Sequence, residues 1–185
     1  MKSIVLGALI AAGLLVTVPA AQQAPATAAA PSVQAQPAKP LLDAALAKAR
    51  ADKKNVFVHF SASWCGWCHK LEAVIAAPEG KMITDYAIDL QLVVLESKGK
   101  EMLENPGAAD MMKNWGGTGG IPFYVFLDGQ GNVLADANGM PNKGNIGYPA
   151  NPQEIQAFDG VLIKGLPKMP ADVRAKLIKY MAEHP

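Results

Sequence analysis

The sequence is short of several things, and each shortage removes a class of protein. Only two of its 185 residues are cysteine, too few for the disulfide-dense scaffold of a small secreted domain. Neither sign of charge dominates: 17 lysines and arginines stand against 16 aspartates and glutamates, for a formal charge of +1. A nucleic-acid binder normally shows a basic excess, so no nucleic-acid partner is expected. Glycine follows no three-residue period and half of the residues are hydrophobic, which excludes collagen-like and wholly disordered chains. The uncharged apolar run over residues 4–16 falls short of the roughly 20 residues of a membrane span. The length suits one ordinary domain of roughly 100–150 residues with additional segments.

What is present divides the chain in three. Residues 1–21 read as an export signal, with Lys2 ahead of the apolar run and Val18-Pro19-Ala20-Ala21 offering small residues for cleavage near positions 20–22. The competing reading is an uncleaved N-terminal anchor. No cysteine follows the cleavage region, which argues against a lipid anchor. An exported, periplasm-like location is therefore expected. Residues 22–40 are rich in Ala, Gln and Pro, have Lys39 as their one charge, and read as a linker. Residues 41–185 form the expected compact domain, without an internal repeat.

Within that domain, helical and strand patterns alternate. The spacing of Leu42, Ala45, Leu46 and Ala49 predicts a helix over residues 41–53. Val56, Phe57, Val58 and Phe60 predict a strand over 55–61 covered on both faces. A helix follows over 68–77, ended by Pro78, and a second buried strand over 90–95. A short helix over 108–115, a Gly-rich break over 116–120, strands over 122–127 and 132–135 around an Asp-Gly-Gln-Gly turn, a long loop over 139–152, and helices over 152–163 and 171–182 complete the pattern. This alternation points to an α/β fold.

Both cysteines lie in Trp64-Cys65-Gly66-Trp67-Cys68-His69, directly after a strand and at the head of a helix. A thiol in a first helical turn faces unpaired backbone N–H groups and the positive end of the helix dipole, which stabilise its thiolate. Cys65 is the expected exposed nucleophile and Cys68 the recessed resolving thiol. Three other readings compete. A structural zinc site normally needs four ligands, and beyond His59, His69 and His184 no second ligand pair has suitable spacing. Two inert buried cysteines are another possibility, although at this spacing in an exported chain they would oxidise to each other. Cys65-Gly66-Trp67-Cys68-His69 also fits the c-type haem attachment signature, with Met102, Met111, Met112 or Met140 as a second axial ligand. The haem reading suits a mainly helical fold better than one with this strand pattern.

These residues resemble the thioredoxin superfamily. Residues 56–68 (VFVHFSASWCGWC) are similar to its active-site strand and motif, Asn105-Pro106-Gly107-Ala108-Ala109 to its third-strand connection, and residues 120–128 (GIPFYVFLD) to its Gly-Ile-Pro strand. The flavour is that of the exported branch, similar to the C-terminal domain of the membrane thiol:disulfide interchange reductase. The resemblance implies a thioredoxin-like α/β fold, with a central mixed β-sheet and helices on both faces. It also implies a cis Ile121–Pro122 bond against a Cys65–Cys68 disulfide, and pairing of the Ile121 backbone with an extended substrate. Trp64, Gly66, Trp67, Ile121 and Pro122 are the implied substrate-binding residues. Trp115 is assigned to core packing.

His59 is the main departure, because it stands where the family carries a buried aspartate beneath the resolving cysteine. The lysine that accompanies that aspartate has no clear match either, since the strand reads Leu92-Val93-Val94-Leu95. An imidazole there suits general-base work on Cys68, so His59 joins Cys65 and Cys68 as a candidate catalytic residue; a satisfied core histidine is the equal alternative. His69 reads as a solvated helix residue. Gly66 and Trp67 bring no charge between the cysteines, and an indole tends to desolvate a thiolate, which leans towards a reductant or electron relay. The expected function is an exported thiol–disulfide oxidoreductase acting on protein disulfides. No cofactor beyond its own dithiol is expected, and an upstream redox partner such as a membrane reductase would re-reduce it. The alternatives are a haem electron carrier and a non-enzymatic peptide-binding module of the same fold.

Overall fold

The computed structural model describes residues 34–118 and 120–185. Residues 1–21, read as an export signal, and most of the expected linker lie outside the described residues. Helix α1 spans Ala38–Asp52, so the folded domain starts before residue 41. Pro40 does not delay it, because the N–H that proline lacks has no intrahelical acceptor in the first turn. The preceding residues are already docked: the N–H groups of Ala35 and Ala38 donate to the carbonyls of Met102 and Pro106, and the Asn105 amide donates to the Gln36 carbonyl at 2.8 Å.

Strand β1, Asn55–Ser61, is buried at every position but its first. It pairs in parallel with β2, Ala87–Val93, and antiparallel with β3, Phe123–Leu127. Strand β4, Val133–Asp136, completes a mixed sheet of order β2-β1-β3-β4. The 90–95 segment expected as a second buried strand is instead the end of an edge strand that starts earlier. Asp89 and Gln91 on β2 are exposed, alternating with more buried apolar residues, the pattern of a strand packed on one face. Past Val93 the chain leaves the sheet, and Leu95 is exposed with φ of 55°.

Helix α2, Gly66–Ala76, is followed by a 3-10 turn over Pro78–Gly80 and a four-residue helix α3, Lys81–Thr84. Neither of these two short elements carries a periodic signal long enough to read. Helices α4 (Ala108–Asn114), α5 (Pro152–Gly165) and α6 (Ala171–Glu183) complete the fold. A capping box holds the start of α5, with the Asn151 side chain accepting from the Gln153 and Glu154 amides while Glu154 reaches back.

The two faces of the sheet have different linings. Phe57 stacks on Phe126 with centroids 4.6 Å apart, and Tyr124 meets Phe158 of α5 edge-on at 5.7 Å. Gly165 on α5 lets Phe126 lie flat against the helix, since a Cβ there would come within 2.5 Å of the ring. On the opposite face Phe60 and Phe123 pack together, and Trp115 at the end of α4 covers Phe60, the core role expected for it. Helix α1 is tied at its N-terminus to the segment entering α4, and packs on β1 and β2. Helices therefore cover both faces of a mixed sheet.

Candidate active site

The C-terminal end of β1 delivers the chain to the head of α2, and Cys65 is the N-cap residue of that helix. Its Sγ accepts the Cys68 N–H at 3.2 Å, placing sulfur where a helix start has donors to spare. Cys65 and Cys68 are joined in a disulfide with an S–S distance of 2.06 Å. The Ile121–Pro122 peptide bond is cis. The Ile121 carbonyl oxygen lies 3.7 Å from Cys65 Sγ, and Ile121 packs with Ala62 against the sulfur pair.

Cys65 is less open than a nucleophile on a helix start was expected to be. It is 4% exposed and Cys68 1%, whereas Trp64 and Trp67 beside them are 55% and 54% exposed. The two indoles and Ile121 make an apolar frame, and Leu95, Met102 and Leu103 are further large hydrophobic residues on the surface. The sulfur pair is thus reached through an apolar rim rather than through open water.

The loop after β2 grips the segment in front of Cys65. Glu96 accepts from the Ser63 N–H at 2.6 Å and from the Ser63 hydroxyl at 2.7 Å. The Trp64 indole N–H donates to the Leu95 carbonyl at 2.7 Å. Burial works to raise the Glu96 carboxyl, but the Ser63 hydroxyl and amide, aided by Lys100 and the Ser97 amide, outweigh it and hold the group below its ordinary value of 4.5. A carboxyl depressed by folding adds stability that is present above its unfolded pKa and is lost as pH falls through the folded one. The stability difference between wild type and Glu96→Gln should therefore be largest above about pH 4.5 and shrink below it, and for so exposed a pair stay under about 1 kcal/mol. Denaturant melts at pH 7, 5 and 3 measure this; a difference independent of pH would mean that the carboxylate charge is not what holds the loop.

The structure brings Cys65, Cys68, Trp64, Gly66, Trp67, Ile121 and Pro122 together around the disulfide. His59 is buried on β1, and the polar atom it approaches is Asp89 Oδ1, 3.2 Å from its Nε2. That contact lacks hydrogen-bond alignment, so Nε2 has no hydrogen-bond partner among the described residues. The ring lines a cavity of about 410 Å³ with Glu72, Ile75, Thr84, Asp89 and Gln91; Cys68 is not among the lining residues. Glu72, one turn beyond Cys68, is held by the Ser61 hydroxyl and by the Gln91 amide. His69 is exposed, as expected.

Sequence patterning does not single out Tyr148. It stacks on Trp67 with centroids 5.8 Å apart and donates from its hydroxyl to the His184 carbonyl at 2.7 Å. Partial burial, with Tyr180 beside it, raises the Tyr148 phenol, which keeps it a protonated donor. Its one signal was to be a lone aromatic residue in a loop of Gly, Pro and Asn. Glu96 had no signal, because its partner lies 33 residues away. Asp89 was legible only through the parallel register that sets Phe57 opposite it and His59 opposite Gln91.

A family model described as thioredoxin-like matches residues 38–129, a span that takes in the β1 strand, the cysteine pair and the cis-proline strand. The chain belongs to the thioredoxin superfamily. Among solved structures, this thioredoxin-like protein is similar to a disulphide isomerase from Xylella fastidiosa Temecula1, with 16% identity over 89% of this chain and 98% of that one, and a TM-score of 0.45. It is similar to a DsbH oxidoreductase at 22% identity, covering 82% and 94% of the two chains, with a TM-score of 0.44. Thioredoxin O2 from Arabidopsis thaliana matches at 21% identity over 57% and 80%, with a TM-score of 0.38. No curated protein gives a significant match. A Cys-x-x-Cys disulfide at the head of α2 makes this thioredoxin-like chain a thiol–disulfide oxidoreductase, a class that acts on protein disulfides. The haem reading suits a mainly helical fold, whereas this motif opens a helix that follows the central strand of a four-stranded mixed sheet. Among the described residues, no three His, Cys, Asp or Glu side chains are placed to hold a metal ion.

Proposed function

We propose that the mature protein works outside the cytoplasm, in a periplasm-like compartment, and reduces protein disulfides or relays electrons to them. The observation that carries the reducing direction is the setting of Cys65: 4% exposed, framed by two indoles and Ile121, with Gly66 and Trp67 adding no charge. Thiolate stability favours the reduced dithiol and makes an oxidant; an apolar frame solvates that charge poorly and favours the disulfide form, hence electron donation. Export is supported by residues 1–21, where Lys2 precedes an uncharged apolar run. The apolar rim suits a protein partner, since exposed hydrophobic clusters mark interaction surfaces.

The steps balance within the dithiol. Cys65 thiolate attacks one sulfur of the substrate disulfide, forming a mixed disulfide and releasing the other substrate sulfur as a thiolate that takes up a proton. Cys68, having given up its proton, attacks Cys65 Sγ. The Cys65–Cys68 bond forms, the mixed disulfide breaks, and the second substrate sulfur leaves as a thiol. Two electrons have passed to the substrate, and an upstream dithiol donor, for which a membrane reductase is the proposed source, restores the enzyme by the same exchange in reverse. Thiol trapping with intact-mass readout, on protein recovered from the periplasm and equilibrated in defined redox buffers, tests both halves. The expected result is a mature chain starting near residues 20–22 and half-reduced at about −250 mV or below. A midpoint near about −150 mV or above would make it an oxidant or isomerase.

A further inference from the structure

We propose that the β4–α5 connection gives this enzyme a side pocket that selects substrates with a bulky apolar residue close to the attacked cysteine, and that Tyr148 is the specificity-determining wall. This rests on the reading of Cys65 as the attacking group on protein disulfides. The connection, residues 137–151, folds back on itself through a Met140–Gly144 bridge and an Ile146 N–H to Ala137 carbonyl bond. It thereby brings Ile146, Tyr148 and Ala150 opposite Trp67, Ile121 and Pro122, around a cavity of about 280 Å³. That is smaller than the roughly 300–1,000 Å³ of small-molecule sites, and suits one side chain.

The walls are held in place before any substrate arrives. Tyr148 is stacked on Trp67 and bonded to the His184 carbonyl. Lys70 Nζ sits 5.4 Å from the Trp67 ring and 5.2 Å from the Tyr148 ring, so a single cation bridges both aromatic faces. An indole that would otherwise swing freely becomes a fixed surface, which lowers the ordering cost of binding. Two of the polar atoms at the pocket are already engaged at the start of α5: Asn151 Oδ1 accepts from the Gln153 and Glu154 amides, and Glu154 Oε2 accepts from the Ala150 and Asn151 amides. The apolar walls open to an occupant are Trp67, Ile121, Pro122, Ile146 and Tyr148.

The occupant follows from position. Ile121 both lines the cavity and sets its carbonyl 3.7 Å from Cys65 Sγ. A substrate whose disulfide reaches Cys65 must lay its adjoining backbone past Ile121, and in an extended chain alternate side chains point to the same side at about 3.3 Å of rise per residue. One of the residues flanking the attacked cysteine therefore points into the pocket.

The test uses disulfide-linked peptide pairs that differ only in the residues flanking the cysteine, Leu against Gly, with kcat/KM measured for the full mature protein. Wild type should prefer the Leu peptide by about ten-fold, the discrimination available from one apolar pocket. Tyr148→Ala should bring the ratio to within about two-fold, and Tyr148→Phe, which keeps the ring, should retain it. Ala150→Leu, which fills the cavity without touching the aromatic stack, should also collapse the ratio and serves if Tyr148→Ala does not fold. No preference in wild type, or a ratio unchanged in both Tyr148→Ala and Ala150→Leu, overturns the proposal. A ratio that falls only in proportion to added protein concentration would show self-association to be the occupant and overturns it equally. Absence of reduction of every peptide by wild type would instead sink the oxidoreductase reading beneath it.

Discussion

Cys65→Ser should abolish disulfide reduction, lowering turnover by at least about a thousand-fold, because the oxygen that replaces the sulfur is neither ionised at neutral pH nor able to form the mixed disulfide. The structure predicts an asymmetric partner result. Cys65 is the N-cap residue whose sulfur lies beside Ile121, where an incoming chain arrives, whereas Cys68 Sγ faces inward, 3.9 Å from the Phe60 carbonyl oxygen. Cys68→Ser should therefore still attack, but stop at the covalent mixed disulfide, which non-reducing gels and intact mass would show as a stable adduct. A stable adduct on Cys65→Ser in place of Cys68→Ser would reverse the roles assigned to the sulfurs. Retained peptide binding by Cys65→Ser, read by anisotropy with a reduced peptide, is compatible with the scheme, since the Ile121 groove does not depend on the thiol.

Phe57→Ala should cost about 3–5 kcal/mol of folding stability, the usual price of emptying an aromatic core site. Phe57 is fully buried at the centre of the sheet, stacked on Phe126 at 4.6 Å and close to both Tyr124 and His59, at 5.7 and 5.5 Å. Its neighbours cannot close the gap freely, because Phe126 packs closely on α5 at Gly165 and moving it towards the gap would open a void there. Domains of this size hold roughly 5–15 kcal/mol in all, so the variant should unfold at a clearly lower denaturant midpoint, and Phe57→Leu should recover part of the loss. A change below about 1 kcal/mol would mean that the aromatic column is not packed as described.

The parts legible in sequence were those whose signal is local. β1 showed as an apolar run because both of its faces are covered, and the cysteine pair and Ile121-Pro122 showed because each is a short contiguous motif. Helix α1 starts three residues before the expected residue 41, because the apolar spacing begins only at Leu42 and Pro40 is harmless in a first helical turn. The frame of β2 differs from the expected 90–95 because its apolar end, Leu92 to Leu95, outweighs the quieter alternation around Asp89 and Gln91. Glu96 and Tyr148 were invisible for a different reason. Each works through a partner more than 30 residues away, Ser63 for one and His184 for the other, and no spacing rule connects such pairs. His59 stands out in the sequence, but its neighbour Asp89 lies on another strand and is placed beside it only by the register.

The mixed order of the sheet also settles how this molecule behaves in a crowd. A strand at a sheet's border offers unpaired amides and carbonyls to any stray chain, and borders are where misassembly begins. Here one border is β2, with Asp89 exposed along it, and the other is the four-residue β4, whose pairing with β3 slips between Phe126 and Leu127. A charge on one rim and a short, irregular rim on the other are both deterrents to edge-to-edge growth. A protein whose proposed clients arrive misbonded and partly unfolded can therefore offer them its apolar sulfur-bearing face while its described sheet edges discourage their loose strands from pairing.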